Sequence, residues 1–375
     1  LQEAAELPHE NLEGFRKDVE TCFGTSCNFC ERACPVYQIN KKKTLTARGR
    51  NRTILGILYN RLQPSTAMAE TYYQCAMCGA CERWCALPDT AICYTFREYL
   101  VKKGFENDSC KKNYENIRRY GNPYGDENKS AWLESLESDE DSDTLYFAGC
   151  TQSLRFQEDL KLAIKLLGTN LKMMQNEPCC GCYLLKTGYR HMQTQLSEQL
   201  LNYVDKENIK EIITACPGCY TTIKDYMENS RLSSKVQVVH ATERIAERLE
   251  ELINKRNGCE RLFGKVTYHD PCHLGRLGGI FDAPRKILRC LCEEVVEMEH
   301  NRYDSNCCGA GGGLKASFRG LSEDIGKKRI AEAKRTGAEI LATACSLCEL
   351  QFKSIGGIEV RNVFELLYCY LDRLC

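Results

Sequence analysis

The sequence has no net charge, because 51 lysines and arginines balance 51 aspartates and glutamates over 375 residues. No global field therefore steers the chain toward nucleic acid or an anionic membrane. It has no apolar run near the roughly 18–20 residues that a spanning helix needs. Its opening stretch, Leu1 to Glu10, shows neither the basic nor the apolar region of a signal peptide. The expected location is the cytoplasm, with any contact to the inner face of a membrane made through a partner. The low hydrophobicity of disordered chains is absent too, since 43% of residues are hydrophobic and 27% charged. At about 100–200 residues per domain, the length excludes a single small module and predicts two or three domains.

What is abundant is cysteine, at 26 residues. That is too many for packing alone, and a chain of this length does not need disulfides in place of a core. In a reducing compartment clustered cysteines are thiols or metal ligands. Cys75-x2-Cys78-x2-Cys81-x3-Cys85 has the spacing of the bacterial ferredoxin run, with Ala86 where proline usually follows. Gly79 gives that tight loop conformational freedom. In such runs the fourth cysteine serves the other cluster, so a second run is required. Cys27-x2-Cys30-x3-Cys34-Pro35 supplies it, with Cys22 further upstream than the usual step places it. The spacing assigns one [4Fe–4S] cubane to Cys22, Cys27, Cys30 and Cys85, and a second to Cys75, Cys78, Cys81 and Cys34. Zinc is the competing explanation, but it needs only four ligands per site and gives no reason for the crossed arrangement.

The rest of the chain contains a long repeat. Cys150, Cys179-Cys180-Gly181 and Cys216-Pro217-Gly218-Cys219 are matched in order by Cys272, Cys307-Cys308-Gly309 and Cys345-Ser346-Leu347-Cys348. The copies lie about 120–130 residues apart, with 35 and 36 residues between pair and CxxC, and 28 and 34 in the first gap. Short apolar strands are expected at Thr144 to Ala148 and Lys265 to His269 before each lone cysteine. Others are expected at Ile212 to Ala215 and Ile340 to Ala344 before each CxxC. Cysteines delivered from successive strand ends converge at one edge of a parallel sheet, where sites of open α/β folds lie.

These residues are similar to the CCG domain of heterodisulfide reductases and their relatives. The tandem placement behind a two-cluster ferredoxin domain resembles the D-type subunit of heterodisulfide reductase, over about residues 15 to 350. Glycolate oxidase iron–sulfur subunits, lactate-utilisation proteins and the C-type subunit of anaerobic glycerol-3-phosphate dehydrogenase look similar too. The His269-Asp270-Pro271-Cys272-His273-Leu274-Gly275-Arg276 segment fits that last group. The resemblance implies two non-cubane [4Fe–4S] clusters. One would be held by Cys150, Cys179, Cys180, Cys216 and Cys219, the other by Cys272, Cys307, Cys308, Cys345 and Cys348. The first gap is short for the family, which bears on Cys150. Both copies keep all five cysteines, which favours the reductase branch.

The fold expected is α/β behind an all-α, two-cluster ferredoxin domain. The helical domain takes 1–120, an exposed acidic linker 121–143, and two pseudo-repeated parallel α/β CCG domains 144–264 and 265–375. Helical patterns are read at Ile92 to Lys103, Glu243 to Lys255 and Val363 to Leu374. The two CCG sites are expected to face each other, on the strength of the resemblance.

His269, His273 and Arg276 are the candidate catalytic groups, as proton donors or anchors for an anionic substrate group, with Lys186 and Arg190 as further candidates. The ordinary alternatives are a histidine satisfied by backbone and surface cations. Gly309 to Gly313 lacks the placement of a dinucleotide fingerprint and the Walker Lys-Ser/Thr, and the family reading needs only close backbone approach. Cys93, Cys110, Cys182, Cys259, Cys290, Cys292, Cys369 and Cys375 lie outside the ligand sets, with Cys182 as a possible alternative ligand. The run Lys41, Lys42, Lys43, Arg48, Arg50 and Arg52 reads as a solvated helix face or a docking patch for an acidic partner.

Two functions follow from the resemblance. One is a catalytic subunit that reduces a disulfide such as the coenzyme M–coenzyme B heterodisulfide to two thiols. The other is a non-catalytic electron-transfer subunit of a flavin-linked 2-hydroxy acid or glycerol-3-phosphate dehydrogenase. The chain shows no flavin or nicotinamide motif of its own, so a redox partner is expected, either a membrane cytochrome b or a flavoprotein.

Overall fold

A computed structural model of the chain describes residues 12–136, 138–168, 170–254 and 261–372. The first part is helical, with helices Arg16–Gly24, Ala47–Leu58, Thr66–Tyr73, Asp89–Lys102 and Asp108–Tyr120. Their starts are set locally. Thr46, Ser65 and Asn107 each cap a first turn with a side-chain oxygen, accepting from the amides of Gly49, Met68 and Cys110. Val19, Ile54, Tyr72, Tyr73, Phe96 and Leu100 are buried between these helices. The cysteine runs occupy the loops that the helices frame. Gly79 adopts the left-handed conformation, φ 67°, at the start of the short 3-10 turn Ala80–Arg83.

Two sheets follow. The first holds β1 (Thr144–Tyr146), β2 (Lys172–Met173), β3 (Glu211–Thr214) and β4 (Gln237–His240), in the order β2-β1-β3-β4. The second holds β5 (Phe263–His269), β6 (Cys292–Val296), β7 (Ile340–Thr343) and β8 (Glu359–Asn362), in the order β6-β5-β7-β8. Every pairing is parallel, and the registers correspond, with Leu145 opposite Ile212 and Val266 opposite Ile340. Helices cover both faces, so the central strands are buried along nearly their whole length, as in β3 and β7. The repeat in the sequence is thus a repeat of topology. The halves share one core, in which Tyr146, Leu160 and Ile245 of the first meet Leu288, Phe364 and Leu367 of the second.

Three expectations need adjustment. The segment 121–143 is not simply exposed, because Asn122, Lys129 and Trp132 are buried in it and Trp132 joins the shared core. Its acids had dominated the charge pattern while the few residues between them carry the packing. The helix expected at Glu243 to Lys255 is two, Ala241–Glu247 and Leu249–Asn254, with Lys255 outside the described residues. Strand β5 begins at Phe263, two residues before the expected boundary. The last helix runs Val363–Asp372, and Leu374 lies outside the described residues, as do Cys259 and Cys375. Among the described residues no helix is long and apolar enough to cross a membrane.

Candidate iron–sulfur centres

The structure gathers the eighteen cysteines into four groups. Cys34, Cys75, Cys78 and Cys81 line one cavity, so the crossing of the two runs that the spacing implies is realised in space. Arg50 and Asp89 line it too. Arg50 is buried, donates to Leu45 O at 2.5 Å, and leaves its Nη1 without a partner. Burial works against its charge, but the sulfurs of Cys75, Cys93 and Cys34 hold the guanidinium above its ordinary value. Four convergent thiols beside a buried cation with one nitrogen unpartnered suit an anionic cluster better than a packed core. Asp89 is pushed up to about 6 by burial.

Cys22, Cys27, Cys30 and Cys85 form the second group, each near enough to another to act on its charge. The long step from Cys22 to Cys27 is held by Arg48, which donates to Cys22 O at 3.0 Å and Cys27 O at 3.3 Å. Cys27 and Cys85 remain partly exposed.

The third group is Cys150, Cys179, Cys180, Cys216 and Cys219. Cys150 meets Cys179, Cys179 meets Cys180, and Cys219 meets both Cys180 and Cys216, so the short first gap does not displace Cys150. Cys216 stands just before the helix Pro217–Glu228, which starts on Pro217, so the CxxC lies at a helix N-terminus where thiolate charge is favoured. Gly149 is obligatory, with φ 76° and a would-be Cβ 2.7 Å from Cys219 Sγ. Cys182 lies beside this group, 3.3 Å from the position a Cβ on Gly218 would take. Lys129, the lone base of the acidic segment, is buried beneath it and donates to Glu177 O at 2.7 Å and Pro178 O at 3.1 Å. Glu177 in turn accepts from the amides of Ala148 at 2.6 Å and Gly149 at 2.9 Å, fixing the turn that delivers Cys150.

The fourth group is Cys272, Cys307, Cys308, Cys345 and Cys348. Cys307 meets Cys272, Cys308 and also Cys78 of the ferredoxin part, while Cys348 lies 3.3 Å from Cys308. That contact holds Cys78 down at about 7. The glycine run completes the junction. A Cβ on Gly311 would come 2.8 Å from Ala76 O, and one on Gly312, at φ 61°, 2.8 Å from Cys75 O. Its glycines serve close backbone approach rather than a nucleotide.

The predicted polar residues divide. His269 is buried at the end of β5, where its Nδ1 accepts from Arg329 Nε at 3.1 Å. The neutral ring then carries its proton on Nε2, and it lies within 4.8 Å of Cys308 and Cys348 sulfur. Burial holds its pKa below the ordinary value. His273 Nδ1 is 3.2 Å from Cys272 Sγ, and its Nε2 meets Lys186 Nζ. Lys186 also acts on Cys216, so Lys186 and His273 lie between the third and fourth groups. Arg276 is otherwise engaged: it donates to Cys78 O at 3.0 Å, Tyr303 O at 2.6 Å and Ser305 O at 3.1 Å, which makes it a clamp between domains. Arg190 pairs with Glu98 at 2.8 Å.

Sequence reasoning missed Arg97, Lys129 and Cys93. Arg97 is fully buried and donates to Tyr72 O and Cys75 O of the ferredoxin part, Lys186 O of the first half and Gly312 O of the second. Cys93 lines the ferredoxin cavity and touches Cys75. A group of buried Asp159 and Glu349 with half-buried Glu365 lies between the halves, where burial pushes Asp159 up to about 8.

Comparison with known proteins finds both kinds of domain in the chain. The 4Fe-4S dicluster domain matches residues 18–87, and the cysteine-rich CCG domain matches 144–224 and 266–353. The D-type subunit of the dihydromethanophenazine:CoB–CoM heterodisulfide reductase of Methanosarcina barkeri is 29% identical over 86% of each chain. The B-type subunit of the CoM/CoB fumarate reductase of Methanothermobacter marburgensis is 30% identical over 80% of this chain and 61% of its own length. EtfAB:quinone oxidoreductase of Syntrophomonas wolfei is 25% identical over 93% of this chain and 57% of its own length.

Proposed function

We propose, from the premise that this chain belongs to the family of heterodisulfide reductase D-type subunits, which join a dicluster ferredoxin domain to two CCG domains, that it reduces a disulfide to two thiols. At the coarser level it is an iron–sulfur oxidoreductase subunit that works with redox partners. The observation that carries the finer reading is the pair of complete five-cysteine groups with Lys186 and His273 between them.

Cys22, Cys27, Cys30 and Cys85, and Cys34, Cys75, Cys78 and Cys81, would hold cubane clusters, and the two five-cysteine groups non-cubane ones. Bound there, such clusters supply one-electron transfer and capture of substrate sulfur. The overall reaction consumes one disulfide, two electrons and two protons and yields two thiols. The chain's own residues supply the rest. Lys186 and His273 can hold an anionic group or a proton where the disulfide would lie. The His269 ring lies within 4.8 Å of the Cys308 and Cys348 sulfurs with its Nε2 buried and unpartnered, and Arg329 fixes its tautomer. Arg276 and Arg97 keep the ferredoxin loop and the second group in register.

The coenzyme M–coenzyme B heterodisulfide is the substrate to try first, since the Methanosarcina relative bears its name. The test is anaerobic turnover of that disulfide with reduced methyl viologen as donor. Two thiols released per disulfide consumed is the expected result. Full reduction of the protein with no thiol released would move the chain to the electron-transfer role.

A further inference from the structure

We propose that an acidic redox protein docks on the face around Cys22, Cys27, Cys30 and Cys85 and passes electrons in there, an inference that rests on reading those cysteines as a cluster site. Among the described residues, three of the large hydrophobic side chains left exposed are Phe23 (52%), Phe29 (45%) and Trp84 (52%). Each is the chain neighbour of one of these cysteines: Cys22, Cys30 and Cys85. Phe29 and Trp84 stack at 6.3 Å. An aromatic patch in water, beside partly exposed Cys27 and Cys85, is the surface an interface core would cover.

The cations around it give the partner's sign. Arg52 lies over Phe23 at 5.6 Å, and Arg83, which pairs with Asp304, lies over Trp84 at 4.1 Å. Arg32 and Arg52 are exposed, and Arg48 holds the loop from Cys22 to Cys27. Two of the nearby acids are paired with cations, Glu31 with Lys43 and Glu20 with Arg16, while Glu82 accepts from Thr90. A face with an apolar aromatic centre and surplus arginine suits a partner whose own face is acidic. The other ferredoxin group meets the second half through Cys78 and Cys307, whereas the Cys22 group is the one flanked by the exposed aromatics. A lipid surface would find the same aromatics and cations, but would bring no redox centre to the exposed cysteines.

The test uses the full, cluster-loaded chain and a pre-reduced acidic [2Fe–2S] ferredoxin as probe, with reduction followed by stopped-flow absorbance. The wild-type rate should fall steeply with added salt. R32E/R52E and F29S/W84S should each lose about tenfold or more at low salt, while dithionite reduces all three proteins alike and iron per chain is unchanged. A ferredoxin rate indifferent to both variants, or no ferredoxin reduction of wild-type protein that dithionite reduces, would overturn the proposal. So would sedimentation of the wild type with phosphatidylglycerol vesicles that F29S/W84S loses, which assigns the face to lipid. Failure of dithionite to reduce any cluster in the wild type would instead sink the reading of the cysteines.

Discussion

The two halves that begin at β1 and β5 share a strand order and a five-sulfur group, yet each group is held in place differently. The second lies directly on the ferredoxin part, through Cys307 and Cys78, the glycine run on Cys75 and Ala76, and Arg276 on Cys78 O. The first is braced by Lys129 and Glu177, packs Cys150 and Cys179 against the core of the ferredoxin part, and is tied to it by Arg97 on Lys186 O and Tyr73 on Thr187 O. Duplication of a parallel α/β unit therefore fixes where sulfurs emerge, at strand ends and helix N-termini. The surroundings decide how each group is held against the ferredoxin part.

The sharpest way to break the comparison is to remove one sulfur from each half. C307A should lower turnover about 100-fold or more and disturb the EPR signal of the cubane at Cys34, Cys75, Cys78 and Cys81. C150A should cost comparable turnover and leave that cubane signal alone. Equal effects on the cubane would erase the asymmetry.

Next in size is Lys129→Met, which leaves the Glu177 carboxylate buried without its cation. Urea unfolding should show a loss of about 3–5 kcal/mol, with spectral change confined to the first group. Gly312→Ala tests the second half in the same way. Its backbone is left-handed and its Cβ would press on Cys75 and Ala76, so about 2–3 kcal/mol should be lost and electron transfer between domains slowed. Retention of both wild-type stability and wild-type rate would count against the close junction.

The smallest effect expected is one of pH. Burial opposes ionisation of Glu332, but Arg329 and Asn306 outweigh it and hold the carboxyl at about 2, below its ordinary 4.5. Its stabilisation is present above pH 4.5 and is lost as pH falls through about 2. The loss should be about 1–2 kcal/mol, measurable as denaturant midpoints at descending pH, and it should vanish in E332Q. The carboxylate that braces the first group, Glu177, is held by Lys129 instead and should not respond to E332Q.

How much of this was legible in the sequence depends on how locally each feature is encoded. Cysteine spacing was readable because ligands of one loop are close in sequence, and the strands before Cys216 and Cys345 announced themselves as apolar runs. Proximity of Cys307 to Cys78 was not, since a contact between residues so distant leaves no local pattern. Buried cations were the least legible. Arg50 lay in a basic run that reads as solvated, Arg97 in an ordinary helical stretch, and Lys129 in an acidic segment, and only tertiary packing took them out of water. Cys93 had the appearance of an ordinary buried thiol until its place beside Cys75 was seen.

The measurement that bears most directly on the whole reading is iron and acid-labile sulfide per chain, with EPR of the oxidised protein incubated with coenzyme M or coenzyme B thiol. About sixteen irons and a new thiol-dependent signal, falling to about twelve irons with the signal gone in C307A, is the expected result. About eight to twelve irons in the wild type and no response to thiol would contradict it, and would leave the chain as an electron carrier without a disulfide site.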